Sequence, residues 1–399
     1  MARRKLGLWL IGAKGGVATT VTVGLTALRK GLTGSQGLVS ELPRFAGLDF
    51  APWGDFTIGG HEIRETTLFA EAQQLVRGNH ALDGELVAKL KSDLDKLDKN
   101  TRPGTLYNVG SRIESLADSS VRKLRESPRG VIERFQADLR EFAKNNSLDE
   151  VIVVNLASTE PPLETELPPR WKDLAKLLDK KKCPLPASSL YAIAALELGY
   201  PYINFTPAVG SAPAAIGELA IDRGTCHMGH DGKTGETLLK SVLAPMFAAR
   251  NLKVMSWVGH NIFGNLDGKV LDDPANKRTK VRSKDRLLHQ ILGYSPQTLV
   301  TIEYIESLGD WKTAWDHVHF RGFLNTPMTL QFTWQGCDSL LAAPLVLDLV
   351  RFTELAHRRG ERGLLTFLAS FFKSPLGIDQ HDFVRQLQML EAWADKARS

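Results

Sequence analysis

The sequence runs to 399 residues, enough for at least two packed units and too few for more than about three, and its 43% hydrophobic and 24% charged content excludes disordered, collagen-like and coiled-coil classes. Fifty Lys and Arg against 45 Asp and Glu leave +5, too thin a charge for a dedicated nucleic-acid binder, and no stretch reaches the ~18 consecutive apolar residues of a membrane span. Cys183, Cys226 and Cys337 are odd in number and far apart, so they build neither a disulfide framework nor a zinc knuckle, and a cytoplasmic protein with no nucleic-acid or membrane partner is expected.

The chain opens on a basic head and a short apolar run, Leu6 to Ile11, which Gly12 to Gly16 interrupts before a secretory signal could form. The same residues read as strand, glycine-rich turn and helix, because Val17, Val21, Leu25 and Leu28 then recur at helical spacing. Gly37 to Glu41 reads as a second strand that would complete a right-handed βαβ unit. From about residue 64 to 146 the chain is rich in Lys, Asp, Glu and Leu, which favours helices and a surface insertion.

Val151 to Leu156 is a continuous β-branched run of the kind covered on both sheet faces, and should be a central strand. Ser188 to Leu198 and Gly235 to Phe247 carry helical patterns, with a strand from Tyr202 between them. Near residue 250 the composition shifts, and the alternation in Thr298 to Ile305 and Thr329 to Trp334 predicts an antiparallel sheet with one face covered. The pattern then turns helical over Leu340 to Leu355, Leu364 to Phe372 and Phe383 to Trp393. The layout is a doubly wound nucleotide domain interrupted by a mixed α+β domain.

A glycine turn between strand and helix brings backbone N–H groups and the positive helix end to a pyrophosphate. Gly12, Gly15 and Gly16 can do this, although Lys14 stands where the regular dinucleotide fingerprint has its second glycine. The ribose acid is either Glu41, which the spacing slightly favours, or Glu62 in Gly59-Gly-His-Glu-Ile63. Lys280 and Lys284 lie one helical turn apart, where like charges repel and a bound anion would relieve them. Taken alone, they are equally a solvated basic face. Lys312 and Lys373 stand beside aromatic residues, Asp231 and Asp267 in Gly-flanked turns, and each has an ordinary structural explanation. Cys226, His227 and His230 resemble half of a metal cluster that no second half completes.

Together these segments resemble the myo-inositol-1-phosphate synthase family in its shorter archaeal and bacterial form. The resemblance rests, in order, on Ile11-Gly-Ala-Lys-Gly-Gly-Val-Ala-Thr-Thr20, Gly59-Gly-His-Glu-Ile63, Asn155-Leu-Ala-Ser-Thr-Glu-Pro161 and Asn204-Phe-Thr-Pro207. It continues through Asp231-Gly-Lys-Thr-Gly-Glu-Thr237, Asn261 to Gly268, Gly309-Asp-Trp-Lys312, Asp338-Ser-Leu-Leu-Ala-Ala-Pro344 and Phe372-Lys-Ser-Pro375.

The resemblance implies conversion of D-glucose 6-phosphate to 1D-myo-inositol 3-phosphate. Oxidation at C5 by NAD is followed by enolisation, intramolecular aldol closure onto C1 and return of the hydride. It implies that Lys280, Lys284, Lys312 and Lys373 are the active-site lysines, Lys280 and Lys373 serving oxyanions and proton transfer and Lys284 and Lys312 the phosphate or the C1 oxygen. Asp267 and Asp338 stand among the catalytic residues. The NAD contacts implied are Gly12, Gly15, Gly16 and Val17 at the turn, Glu62 rather than Glu41 at the adenosine ribose, and Ala157, Ser158 and Thr159. Asp231, Thr234, Asp267, Asp310, Asp338 and Ser339 complete them. A divalent or monovalent cation of unknown identity is a further expected cofactor, and His230, where many relatives carry an acid, bears on that dependence.

The fold implied is α/β: a Rossmann-like NAD-binding domain, residues 1–240 and 341–399, with an inserted α+β catalytic and oligomerisation domain, residues 241–340, assembled as a homotetramer. The competing expectations are a sugar-phosphate dehydrogenase with net hydride transfer and a non-catalytic nucleotide-binding paralogue.

Overall fold

The computed structural model describes residues 4–78, 81–180, 182–264 and 287–398. Seven strands form one sheet: β1 (Leu6–Ile11), β2 (Phe56–Glu62), β3 (Thr101–Pro103), β4 (Glu150–Asn155), β5 (Tyr202–Asn204), β6 (Cys226–Gly229) and, after the second sheet, β11 (Gly363–Leu364). Their order is β11-β6-β5-β4-β1-β2-β3, and every pairing is parallel. The strand order reverses between β1 and β4, the position at which an open parallel sheet leaves a crevice beyond its strand ends.

As its continuous apolar run predicted, β4 lies at the centre. Ile152 and Val154 join one core with Leu6, Leu8 and Leu10, while Val151 and Val153 join the opposite core with Trp9 and Ile11. Both faces are buried, which is why the sequence there does not alternate.

The second strand is not where its sequence suggested. Residues 37–41 form a turn and a short 3-10 segment, and the strand beside β1 is Phe56–Glu62. Close packing explains the misleading composition: a Cβ on Gly59 would come 2.8 Å from Trp9 and Phe142, and one on Gly60 would come 2.2 Å from the Leu10 carbonyl oxygen.

The second sheet contains β7 (Lys253–Phe263), β8 (Gln297–Tyr304), β9 (Trp311–Arg321) and β10 (Pro327–Cys337) in the order β10-β9-β7-β8. It is mixed rather than purely antiparallel, because β7 and β8 run parallel. One face packs through Trp257 and Val318 on Ala244 and Phe247 of the helix Gly235–Ala249. The helix Asp338–Arg358 then returns to the first sheet, where its apolar residues join the same core as β1 and β4. The predicted helix over residues 364–372 is instead β11 followed by a 3-10 stretch, Thr366–Phe371. The chain closes on the helix Phe383–Arg398. Among the described residues, no helix is long and apolar enough to cross a membrane.

Candidate active site

The cavity begins where β1 ends. Gly12 turns the chain with φ +77°, a region open to glycine at little cost, and a Cβ there would stand 2.9 Å from the Ala157 Cα. The helix Gly16–Arg29 follows with Gly15 as its N-cap, no capping side chain and no acid in its first turn. Its positive end is thus open to an anion. Lys14, which stands in the fingerprint's second-glycine position, points its ammonium to Asp98 at 3.0 Å and donates to the Thr66 carbonyl at 2.5 Å.

The two candidate ribose acids part company. Glu41 pairs with Arg351 at 2.5 Å and accepts from the Trp53 indole, away from the cavity. Glu62, at the end of β2, accepts from the backbone N–H groups of Lys14, Ile63 and Arg64 at 2.9, 2.9 and 3.1 Å. Those bonds fix a carboxylate on the cavity wall.

A second group of elements builds the far end. The turn after β6 holds Asp231 with φ +63°, and the Lys373 ammonium donates to its Oδ1 at 2.8 Å. The same residues are tied through the backbone, Lys373 N–H to the Asp231 carbonyl at 2.7 Å. Asp310 accepts from the Ser339 N–H at 2.9 Å and from the Cys337 thiol at 2.8 Å, and burial raises its pKa. Lys312 lies over the Phe263 ring, 5.2 Å from its centroid. Burial lowers the pKa of the neighbouring His230 imidazole.

One cavity of about 1000 Å³ joins these groups. Its lining includes Gly12, Gly15, Gly16, Val17 and Glu62, and Ala157, Ser158 and Thr159. Asp231, Thr234, Asp310, Lys312, Asp338, Ser339 and Lys373 line the remainder. Lys280, Lys284 and Asp267 lie outside the described residues. Among the described residues, no three His, Cys, Asp or Glu side chains gather as a metal site.

Three features were not read from the sequence. Asn155 ends β4 in the cavity wall and donates to Asn204 and Thr206, each at 3.1 Å. Beyond Thr234, already expected at the cofactor, the helix Gly235–Ala249 also opens into the cavity through Glu236 and Thr237, a role that the Thr-Gly-Glu-Thr run could have signalled. Lys233 turns away from the cavity into the protein, 3% exposed, where its ammonium donates to Gln386. A lone lysine between glycine-flanked turn residues gives no sign of such burial.

A family model described as myo-inositol-1-phosphate synthase, of an NAD-binding class, matches residues 6–394. A relative from Bacteroides thetaiotaomicron, "Inositol-3-phosphate synthase 1", is 32% identical over 96% of this chain and 92% of its own length. A rice relative of the same name is 29% identical over 89% of this chain and 75% of its own length. Among solved structures, the Caenorhabditis elegans inositol-3-phosphate synthase superposes with a TM-score of 0.90 at 24% identity, covering 100% of this chain and 86% of that one. A Thermotoga maritima myo-inositol-1-phosphate synthase-related protein gives 0.79 at 24% identity, over 98% and 99%. These two structures carry the fold comparison, and the bacterial relative carries the sequence comparison.

Proposed function

The chain belongs to the myo-inositol-1-phosphate synthase family, and from that premise we propose how its own residues divide the work of the reaction. It is an NAD-dependent isomerising enzyme that converts D-glucose 6-phosphate to 1D-myo-inositol 3-phosphate. Bound NAD supplies the hydride acceptor for C5 and the donor that later restores that hydrogen.

The glycine turn and the open start of the Gly16–Arg29 helix hold the NAD pyrophosphate, and Glu62 takes the adenosine ribose hydroxyls. Ala157, Ser158 and Thr159 continue the cofactor wall toward Asp310, Asp338 and Ser339. Oxidation at C5 acidifies the C6 protons, after which C6 attacks C1. Negative charge therefore develops on O5 and then on O1, and preorganised cations lower both barriers. Lys373 serves O5, taking up its charge and moving a proton at that atom, while Asp231 holds the ammonium in place. Lys312 and the N-terminal turn of the Gly235–Ala249 helix hold the substrate phosphate, the helix through N–H groups that lack intrahelical partners.

One observation supports this division above all: a dinucleotide-type glycine turn and two lysines line the same cavity. The test is purified protein with glucose 6-phosphate and substoichiometric NAD. Inositol phosphate in molar excess over NAD, with no net NADH, is the expected result. NADH accumulating in step with product would identify a sugar-phosphate dehydrogenase instead.

The domain division is proposed as residues 1–240 with 341–399, and 241–340 inserted. Support comes from β11, which carries the chain's last part back to pair with β6. A homotetramer built on the second sheet is supported by its exposed Leu299 and Trp315 and by the β9–β10 tip, where Phe323 and Leu324 are 88% and 81% exposed. Light scattering on Phe323→Asp should show a smaller species. A divalent or monovalent cation is proposed as a further cofactor. Three free cysteines suit the reducing cytoplasm proposed as the enzyme's location.

A further inference from the structure

The acid at the end of β2 stands beside a cation for which the reaction has no use. Arg64 lies two positions after Glu62 and lines the same cavity, and each nitrogen of its guanidinium is engaged. Nη2 donates to the Lys14 carbonyl of the glycine turn at 2.6 Å and to Glu62 Oε2 at 3.3 Å. Nε donates to Glu62 Oε1 at 3.3 Å. Nη1 donates to Glu71 Oε2 at 3.4 Å. Glu71 sits in the first turn of the helix Leu68–Arg77 and also lines the cavity. The Arg64 and Glu71 side chains are 18% and 12% exposed, so their contact is not an ordinary surface pair.

An acid at this point of a dinucleotide fold accepts from a free 2′-hydroxyl, whereas an arginine near it accommodates a 2′-phosphate. Both residue types are present here, within hydrogen-bond distance of each other. What the arginine does with its charge therefore decides whether a 2′-phosphate is tolerated. A guanidinium is a rigid fork of donors well matched to phosphate. Glu62 neutralises it but leaves Nη1 to another partner, and that partner is Glu71. With Glu71 in place, carboxylates outnumber cations around the fork. Lys14 does not redress the balance, because its ammonium is paired with Asp98. A 2′-phosphate, with up to two negative charges, would meet two carboxylates in a partly buried setting where repulsion is poorly screened. It would also find the guanidinium taken. The other cation that this helix adds to the cavity lining, Arg77, is exposed at the helix's far end.

We propose that Glu71 is a specificity-determining residue, acting through Arg64 to exclude the 2′-phosphorylated dinucleotide NADP in favour of NAD. This inference rests on the placement of the adenosine ribose at Glu62. Glu71 itself need not touch the cofactor: it occupies the one arm of the fork that a 2′-phosphate would need and adds the charge that repels it.

The test is fluorescence titration of NAD and, separately, of NADP into the purified wild-type protein, Glu71→Gln, and the double variant Glu71→Gln/Arg64→Leu. Glu71→Gln keeps the side-chain length and removes the charge. It should lower the ratio of NAD to NADP affinity by about tenfold or more, the scale of one charge-assisted hydrogen bond gained by phosphate. Removing Arg64 as well should return the ratio to the wild-type value or above it, since the phosphate then has no guanidinium to receive it. A purely structural role for Glu71 would weaken both nucleotides together and leave the ratio unchanged, which would overturn the inference. A lowered ratio that persists without Arg64 would overturn it too. Glu62→Gln, titrated alongside, separates the two levels of the argument. Wild-type NAD affinity in that variant would remove the ribose from Glu62 and take this inference with it, whereas weakened NAD binding there with an unchanged ratio in Glu71→Gln would overturn this inference alone.

Discussion

Lys373 and Asp231 are joined twice, by an ammonium–carboxylate contact of 2.8 Å and by a backbone hydrogen bond of 2.7 Å. The second bond fixes the two Cα positions whatever the side chains do, so a substitution at either residue tests chemistry more than architecture. Lys373→Ala should lower product formation by at least about 10²–10³-fold, the scale seen when an oxyanion-stabilising donor is removed, with NAD affinity within a few-fold of wild type. Asp231→Asn, which keeps an acceptor and removes the charge, should lower kcat by about tenfold. Steady-state rates with fluorescence titration of NAD check both. Loss of NAD binding in Lys373→Ala would move that lysine from catalysis to the cofactor.

Glu62 receives three backbone N–H groups and still faces the cavity. Glu62→Gln should raise the Kd for NAD by about tenfold, the loss expected for one charge-assisted hydrogen bond. At saturating NAD, kcat should stay within about twofold. Glu41→Gln should leave NAD affinity unchanged, because Glu41 is spent on Arg351.

Two glycines of the first βα unit should respond in opposite ways to alanine. Gly12 has positive φ and faces the Ala157 backbone, so Gly12→Ala should destabilise the fold by about 1–3 kcal/mol and weaken NAD binding. Gly24 sits within the following helix, and a Cβ added there would meet nothing within 4 Å, so Gly24→Ala should stabilise by about 0.5–1 kcal/mol. Urea denaturation of the two variants measures both signs.

How far the sequence reveals this molecule depends on what each residue is doing. The β4 run is legible because burial on both faces demands apolar residues at every position. In β2 the same demand is met by Gly59 and Gly60, chosen for close approach to Trp9 and Leu10, and a glycine-rich strand has no propensity signal. The parallel β7–β8 pair is invisible to alternation, which reports a half-covered face and not strand direction. At the site, the glycine turn declares itself locally, whereas Lys312, Lys373 and Asp231 acquire meaning only when three distant segments converge.

Lys233 gives a pH-dependent stability term. Burial pulls its ammonium pKa from 10.5 down to about 7, against the attraction of Asp382. Between those values the unfolded chain binds more protons than the folded one, so this residue makes stability rise with pH across that window. Below pH 7 both states are protonated and the full penalty is felt. Lys233→Met should therefore be more stable than wild type at pH 6.5, by an amount on the order of a few kcal/mol. The gap should shrink by pH 9.5, as measured by urea denaturation at the two pH values. A gap independent of pH would contradict this account of Lys233.

The central claim is that hydride leaves and returns within one turnover at a site built from this single cavity. The direct measurement follows deuterium from glucose 6-phosphate labelled at C5 into product, by mass spectrometry, in unlabelled water with unlabelled NAD. The label should be retained at the corresponding carbon of inositol phosphate, with no rise in absorbance from NADH. Label transferred into a free NADH pool, or product lacking deuterium, would contradict it.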